Sequence, residues 1–351
     1  MFYSLPIKEI RQETSDCVSI SLDVPESQKS EFNYRPGQYL TFKVQLNGSE
    51  VRRSYSICSS PDLNKGDLRV AVKRVEGGQF STFANESLKA GDVLESMKPE
   101  GNFTTAISEG RSQNYLFVAA GSGITPIISI IKSLLAREAQ SKIVLLYGNK
   151  GPEETIFKNQ LDKLSDQYSD RFEVRYVFSR NCPEGFTQGR IDNSKLDGID
   201  GITAFDEYFV CGPEVLIHNT SDYLQNKGVE KSKIRFELFT TPVTKFDDQK
   251  AEEAEFNGTS EVTVIMDDEE VTFSLKANGN VILDAAMDAG VDAPFSCKGA
   301  VCCTCKGKVI EGKVIMDMNY ALSDEEVEEG FVLTCQSHPD SAKVVVDYDQ
   351  I

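Results

Sequence analysis

The chain has 351 residues, of which 40% are hydrophobic, and a formal net charge of −18 at pH 7. This length suits about two or three globular domains, and no run of about 18 apolar residues is present that would span a membrane. The negative charge argues against a nucleic-acid partner, because nucleic-acid phosphates would be repelled. Nine cysteines and an N-terminus without a signal-peptide pattern lead us to expect a reducing cytoplasm, where thiols bind metals more often than they form disulfides.

Short alternating runs typical of β-strands fill the first part of the chain. The runs Cys17–Leu22, Tyr39–Val44 and Leu68–Val72 are separated by Pro-Gly and Asn-Gly turns. Regularly spaced strands of this kind predict an antiparallel β-barrel. We assign it to residues 1–108.

The pattern changes to alternating strands and helices over residues 109–240. A continuous apolar strand at Tyr115–Ala120 is followed by a turn and by helical periodicity over Ile127–Glu138. Further strands and helices are predicted at Ile143–Tyr147, Glu154–Leu164, Phe172–Phe178, Tyr208–Cys211 and Pro213–Asn226. Such alternation predicts an α/β domain whose parallel sheet is covered by helices on both faces.

The last part of the chain differs in composition. Residues 241–258 are acidic and lack a packed face, so we expect a flexible linker. Residues 259–351 begin with a predicted hairpin, Val262–Ile265 and Val271–Leu275, followed by a short helix over Ile282–Ala289. This region has 18 acidic residues, six lysines and no arginine, so it carries −12 of the net charge.

A cysteine cluster is the most specific pattern in the sequence. Cys297, Cys302 and Cys305 give C-x4-C-x2-C, and with the distant Cys335 they match the plant-type spacing for a [2Fe–2S] cluster. A disulfide framework suits small secreted domains, and a zinc site usually shows two C-x2-C pairs or added histidines. The spacing therefore favours a cluster that carries one electron at a time. Cys303 fits neither interval of the pattern.

Two patterns in the β-rich region favour a flavin when they are taken together. Arg53-x-Tyr55-Ser56 ends a predicted strand, and the run Gly78, Gln79, Phe80 and Ser81 opens a predicted helix. An arginine can bind phosphate bidentately, a tyrosine ring can cover an isoalloxazine, and a glycine-preceded helix N-terminus offers N–H groups to a pyrophosphate. Each pattern alone is commonplace.

Two further turns lie where a nucleotide would bind. Gly121-Ser122-Gly123-Ile124-Thr125-Pro126 follows a strand and opens a helix, as phosphate-binding turns do. It lacks the third glycine of the dinucleotide motif, so a plain tight connection remains open. Cys211-Gly212-Pro213 follows a later strand at its carboxyl end, where open parallel sheets bind ligands. Taken alone, Cys211 is more typical of a small buried residue.

Together these motifs resemble the ferredoxin–NADP reductase superfamily joined to a plant-type ferredoxin domain, which implies a β-grasp-like α+β fold for residues 259–351. The segments Pro294–Gly299, Met316–Leu322 and Leu333–Gln336 are similar to the reductase subunits of phenylacetyl-CoA epoxidases. The resemblance implies FAD as the flavin with FMN as the alternative, and NADPH as the nicotinamide with NADH as the alternative. Where the family has glycine, this chain has Ala300, which would crowd the cysteine loop if a positive φ is required there.

The resemblance also implies roles for individual residues. Ser56 and Cys211 would be the catalytic positions, beside flavin N5 and nicotinamide C4. Cofactor-binding positions would be Arg53, Tyr55, Gly78, Gln79, Phe80 and Ser81 for the flavin, and Gly121, Gly123, Thr125, Gly212, Pro213, Ser179, Arg180 and Arg190 for the nucleotide. Among these, Ser179, Arg180 and Arg190 would hold a 2′-phosphate.

These parts indicate an electron path. A nicotinamide gives hydride, a cluster accepts single electrons, and a flavin between them converts one to the other. We therefore expect electrons to pass from NADPH through FAD and [2Fe–2S] to a separate di-iron oxygenase that docks on the acidic ferredoxin domain, with phenylacetyl-CoA as the oxygenase substrate. The alternatives are a different oxygenase, hydroxylase or haem acceptor, and a non-catalytic iron–sulfur sensor.

Overall fold

The computed structural model describes residues 1–64, 66–241 and 255–350, so most of the predicted linker lies outside the described residues. The chain divides into two compact units. One contains Phe2–Pro99 and Phe103–Phe239, and the other contains Met1, Glu100–Asn102 and Thr240–Ile351. Within the described ranges, none of the helices has the length and apolar composition that a membrane crossing requires.

The predicted antiparallel barrel is confirmed. Its elements are β1 (Tyr3–Thr14), β2 (Cys17–Leu22), β3 (Tyr39–Leu46), β4 (Ser49–Ser56), β5 (Leu68–Lys73), helix α1 (Gln79–Glu86) and β6 (Val93–Ser96). The strands pair in the order β4-β3-β6-β1-β2-β5. An antiparallel bridge between Ile57 and Val70 joins the two edges of this sheet and closes it. Leu5, Ile20 and Phe42 lie fully buried in its core.

A six-stranded parallel sheet follows in the same unit. Its elements are β7 (Asn114–Ala120), α2 (Ile124–Arg137), β8 (Lys142–Asn149), α3 (Lys158–Gln167), β9 (Phe172–Phe178), β10 (Thr187–Gln188), α4 (Asn193–Asp197), β11 (Glu207–Cys211), α5 (Glu214–Asn226) and β12 (Ile234–Glu237). The strand order is β10-β9-β8-β7-β11-β12. The order reverses between β7 and β11, and ligands bind at such a switch point.

Two of the helices that connect the strands of this sheet begin at residues other than those predicted. Helix α2 begins at Ile124 rather than Ile127, because Pro126 lies in the first turn, where a helix needs no N–H donor. Helix α3 begins at Lys158 rather than Glu154, because Phe157 has a left-handed φ of 61° that separates it from the short turn before it. A single residue explains each difference: Pro126 permits the earlier start of α2, and Phe157 interrupts the helical backbone before α3.

Buried hydrogen bonds hold α2 against the barrel. Lys132 Nζ donates to the carbonyl oxygen of Cys58 over 2.9 Å, and the hydroxyls of Ser60 and Ser133 share a bond of 2.7 Å. Buried polar groups are costly unless they are paired, so these bonds select one arrangement of helix and barrel. This arrangement places the end of β4 beside the ends of β11 and β12.

The second unit contains a smaller mixed sheet. Its elements are β13 (Thr259–Met266), β14 (Glu269–Lys276), α6 (Ile282–Asp288), β15 (Lys306–Glu311), β16 (Val314–Met316), α7 (Asp324–Glu328), β17 (Phe331–Leu333), β18 (Ser337–Pro339) and β19 (Lys343–Asp347). The main sheet has the order β14-β13-β19-β15-β17, with β13 and β19 parallel. The predicted hairpin is present, and its turn residues Asp267 and Asp268 both have positive φ, as tight hairpin turns require.

Candidate functional site

Three polar side chains meet at the carboxyl ends of β4, β11 and β12. Ser56 Oγ donates a hydrogen bond of 3.1 Å to Glu237 Oε2. Cys211 lies opposite Glu237 in the register of β11 and β12. Ser56 and Cys211 are both buried, so water has little access to either side chain. The structure thus brings together the two predicted catalytic residues and adds a carboxyl group to them.

The protonation states of this group follow from its burial. Burial raises the pKa of Glu237 to about 8, against the opposing effect of the hydrogen bond from Ser56. Burial also raises the pKa of the Cys211 thiol, and the nearby Glu237 carboxyl raises it further. At neutral pH the carboxyl and the thiol are therefore both mainly neutral. The site offers polar groups for contact with a cofactor and no thiolate nucleophile.

The predicted flavin-stacking residue rests on an aromatic cluster. The Tyr55 ring centroid lies 5.2 Å from that of Phe80, and Phe80 stacks on Phe42 at 5.9 Å. Phe80 is only 1% exposed, so its side chain supports Tyr55 from inside the barrel and is not available to a ligand. Arg53, in contrast, is exposed on the same strand. Tyr55 and Arg53 fit the predicted flavin contacts, whereas Phe80 can contribute only its backbone.

The start of α1 has the features of a phosphate cradle. Gly78 caps the helix, and its N-terminal N–H groups have no acceptor within the helix. Ser81 Oγ accepts a bond from the Val75 N–H at 3.1 Å and donates to the Gly78 carbonyl at 3.2 Å. A Cβ at position 78 would lie 2.5 Å from Ser81 Oγ. Gly78 and Ser81 thus shape the turn, and Gln79 begins the helix.

The turn after β7 packs directly on the end of β11. Gly121 has a positive φ of 55°. A Cβ at Gly123 would lie 2.1 Å from the carbonyl oxygen of Cys211, so only glycine allows this approach. Thr125 is 3% exposed and its hydroxyl donates to the Ser122 carbonyl at 3.0 Å, so it stabilises the turn. The glycines of this turn therefore let α2 start beside Cys211.

After β11, Gly212 and Pro213 lead into helix α5. Pro213 is the N-cap residue of that helix. A Cβ at Gly212 would approach the Ala120 side chain to 3.2 Å, so the ends of β7 and β11 meet closely here. The predicted nucleotide-binding residues around β7 and β11 therefore lie at one edge of the parallel sheet.

The four predicted cluster ligands come together from two segments. Cys302 Sγ lies 3.1 Å from Cys297 Sγ. The neighbouring thiols of Cys297 and Cys305 raise the pKa of Cys335. Hydrogen bonds from Cys302 and Cys335 hold the pKa of Cys297 well below its usual range. Cys303 points elsewhere, and its thiol donates to the Ala321 carbonyl at 3.3 Å. Four converging thiols form the donor set that a [2Fe–2S] cluster requires.

The backbone of the cysteine loop has an unusual conformation. Lys298 has a φ of 50° and Ala300 a φ of 64°, so both non-glycine residues lie in the left-handed region. The positive φ suspected for position 300 is therefore present. This conformation allows the Gly299 N–H to donate to Cys297 Sγ at 3.3 Å.

Comparison with known proteins matches three domains in order along the chain. Family models match an oxidoreductase FAD-binding domain at residues 4–105, an oxidoreductase NAD-binding domain at 117–222 and a 2Fe-2S iron-sulfur cluster binding domain at 264–340. The chain is 39% identical over 353 residues to a component of the 1,2-phenylacetyl-CoA epoxidase of Escherichia coli (strain K12), covering 99% of this chain and 98% of the relative. The chain belongs to the ferredoxin–NADP reductase superfamily.

Other relatives match this reductase over nearly its whole length. The chain is 30% identical to the 3-ketosteroid-9-alpha-monooxygenase, ferredoxin reductase component, of Rhodococcus rhodochrous, over 98% of this chain and 96% of the relative. The solved structure of phthalate dioxygenase reductase is 25% identical with a TM-score of 0.58, covering 99% of this chain and 98% of the other. The reductase is an NAD(P)H-dependent flavin and iron–sulfur oxidoreductase.

The residues predicted to bind a 2′-phosphate lie just beyond two paired strands of the reductase. Strands β9 and β10 are parallel, so their carboxyl ends meet at one edge of the sheet. Ser179 and Arg180 follow β9, and Arg190 follows β10. Both arginines are exposed, and the Gly189 N–H donates to the Phe178 carbonyl at 2.9 Å. This contact brings the two arginine-bearing segments together.

Glu237 was not among the residues predicted from the sequence. It ends the short strand β12, which matches no motif and was not predicted. Its position beside Cys211 and Ser56 depends on strand pairing and on packing of the barrel. The available signal was a single carboxylate in the run Ile234-Arg235-Phe236-Glu237-Leu238-Phe239, which is otherwise apolar except for Arg235.

Proposed function

We propose that this reductase passes electrons from NADPH through FAD and [2Fe–2S] to a separate di-iron oxygenase that epoxidises phenylacetyl-CoA. The observation that carries the proposal is the 39% identity to the phenylacetyl-CoA epoxidase component, which extends over 99% of this chain. The similarity to reductase components of other oxygenases supports a separate oxygenase as the acceptor.

Within this proposal, the protein supplies geometry and a controlled environment. When bound, FAD accepts hydride from the nicotinamide, and the cluster carries electrons away singly. Ser56 and Cys211 are neutral groups placed where the two ring systems would meet, and Glu237 orients the Ser56 hydroxyl. Tyr55 would cover the flavin ring, while Arg53 and the start of α1 would bind its phosphates.

We also propose that NADPH is preferred to NADH. Arg180 and Arg190 are exposed at the adjoining ends of β9 and β10. Guanidinium groups bind phosphate with charge-assisted, often bidentate hydrogen bonds. The extra phosphate of NADPH would therefore gain contacts that NADH lacks.

The partner is proposed to dock on the acidic helix α7. Glu326 is occupied in the helix cap, since its side chain accepts the Ser323 N–H at 2.9 Å and pairs with Lys306 at 3.1 Å. Glu325, Glu328 and Glu329 are exposed around it. Exposed charge of one sign speeds the encounter with a partner of opposite sign, and its effect decreases with salt. A basic oxygenase surface would match this helix.

Charge reversal tests the docking surface. E325K/E328K/E329K should slow reduction of the oxygenase roughly tenfold or more at low salt, because electrostatic steering is lost. A control, E261K/E269K/E270K, makes the same charge change at exposed positions on β13 and β14. Stopped-flow measurement of both should show a large effect only for the first triple variant, with flavin reduction by NADPH unchanged. Equal slowing by both variants would remove the docking role from α7.

Acceptor selectivity tests the identity of the partner. Purified reductase and NADPH are combined with the oxygenase component of phenylacetyl-CoA epoxidation, and separately with a 3-ketosteroid oxygenase and a soluble haem protein. We expect epoxide to form at a rate far above the rate of electron transfer to the other two acceptors. Efficient turnover with another acceptor and none with the epoxidase would overturn the assignment.

A further inference from the structure

A buried hydrogen-bond chain links the C-terminal end of the ferredoxin domain to the cysteine loop. Tyr348 follows β19, and its hydroxyl donates to Thr334 Oγ1 over 2.8 Å. The Thr334 hydroxyl in turn donates to the carbonyl oxygen of Cys305 over 2.9 Å. Tyr348 is 4% exposed and Thr334 is fully buried, so water does not compete for these bonds.

Thr334 connects the two segments that carry the cluster ligands. It immediately precedes Cys335, and Cys305 is the last ligand of the loop. The carbonyl of Cys305 accepts both the N–H of Thr334, at 3.1 Å, and its hydroxyl, at 2.9 Å. One residue therefore joins the segment of the fourth ligand to the end of the loop through two bonds.

A second contact supports the same connection from the other side of Cys335. Gln336 Nε2 donates to the carbonyl oxygen of Lys298, which follows the first ligand, at 3.3 Å. Both sequence neighbours of Cys335 thus hold the cysteine loop, one near its start and one at its end. The Thr334 contact differs because its hydroxyl is itself oriented by Tyr348 from the C-terminal end of β19.

We propose that Thr334 and Tyr348 are positioning residues for the [2Fe–2S] cluster. They hold Cys305 and Cys335 at one separation in both oxidation states, and they direct two O–H dipoles towards the ligand-bearing backbone. A cluster gains negative charge when it is reduced, and nearby hydrogen-bond donors stabilise that charge. The role concerns the cluster alone and does not depend on which oxygenase accepts the electrons.

The test uses the full-length holoprotein and three substitutions. Thr334→Val keeps the shape of the side chain and removes the hydroxyl, Thr334→Ser restores a hydroxyl, and Tyr348→Phe removes only the outer donor. The matched control is Thr263→Val, because Thr263 is similarly buried in the same domain and its hydroxyl bonds only to Thr272 among the contacts described, at 2.9 Å. The readouts are the cluster midpoint potential, the EPR spectrum of the reduced cluster and the rate of bleaching by a chelator.

We expect T334V to shift the potential to a more negative value, alter the EPR spectrum and bleach about tenfold faster, the equivalent of one lost buried hydrogen bond. T334S should restore all three properties, Y348F should show the same changes more weakly, and T263V should match the wild type. Dye reduction at the flavin should be unchanged in every variant. If T334V does not retain its cluster, Y348F decides the question. A wild-type potential and EPR spectrum in Y348F and T334V, or equal changes in T263V, would overturn the proposal.

Discussion

Ser56 Oγ donates a hydrogen bond of 3.1 Å to Glu237 Oε2, which joins the last residue of β4 in the barrel to the last residue of β12 in the parallel sheet. Glu237 also lies beside Cys211, whose carbonyl oxygen faces the turn that begins α2. A carboxyl group with a pKa of about 8 therefore lies between the predicted flavin and nicotinamide sites.

Glu237 should make hydride transfer depend on pH. Its pKa is raised from 4.5 to about 8 in the folded protein, so the folded state binds this proton more tightly than the unfolded state. The contribution of this proton to the free energy of unfolding is therefore fully present below pH 4.5, and it is lost as the pH rises through about 8. Above that pH the carboxylate would place negative charge beside the predicted flavin site, which would oppose the arrival of a hydride.

We therefore predict that flavin reduction by NADPH slows with an inflection near the pKa of Glu237 in the wild type, whereas E237Q shows no such inflection. Stopped-flow measurement of flavin absorbance, at pH values below and above that pKa, would give the reduction rates of the wild type and of E237Q. E230Q is the control, because Glu230 is exposed just before β12. An inflection that persists unchanged in E237Q would assign the titration to another group.

Regular patterns in the sequence predicted most of the architecture. The alternating run Cys17–Leu22 and the continuous apolar run at Tyr115–Ala120 correspond to a barrel strand and a parallel-sheet strand. In Cys17–Leu22 the alternation does not follow exposure, because all six residues are buried and the serine hydroxyls hydrogen-bond to Glu13 and Asp67. Cysteine spacing identified three ligand candidates that are close in sequence on one loop, and the plant-type pattern added the distant Cys335.

Features that depend on long-range packing were not visible in the sequence. Glu237 acquires its environment only when β12 pairs with β11 and the barrel supplies Ser56. Phe80 was predicted to contact a cofactor, but its ring fills the barrel core under Tyr55. Thr125 likewise donates within its own turn. Motif matches identify positions, whereas side-chain directions follow from the packed structure.

Replacement of Ala300 tests the strain in the cysteine loop. A left-handed backbone costs an L-residue about 1–2 kcal/mol, and loss of the buried methyl group costs about 0.8 kcal/mol. A300G should therefore leave the thermal midpoint of cluster bleaching nearly unchanged or slightly raised. A293G removes an equally buried methyl group without a left-handed φ to relieve, so it should lower that midpoint. Equal losses in the two variants would show that the loop carries no relievable strain at position 300.

Replacement of Arg180 tests the proposed nucleotide preference. R180A should raise the KM for NADPH roughly tenfold or more, the usual effect of losing a hydrogen bond to a charged group, while the KM for NADH changes little. R175A is the control, because Arg175 lies on β9, the strand that Arg180 follows, but pairs with Glu173 at 2.6 Å. Steady-state dye reduction with both nucleotides would measure the ratio. A parallel rise in both KM values would leave Arg180 without a role in 2′-phosphate recognition.

The most direct test of the electron path is NADPH-driven product formation by the oxygenase with a reductase that lacks the cluster. Cys335→Ser removes a predicted ligand, and Cys303→Ser is the matched control, because Cys303 is a buried neighbour whose thiol donates to Ala321. We predict that C335S loses the iron–sulfur absorption, still reduces a dye with NADPH and supports no product formation, whereas C303S resembles the wild type in all three. Product formation by C335S at the wild-type rate, or loss of the cluster in C303S with retention in C335S, would contradict the account.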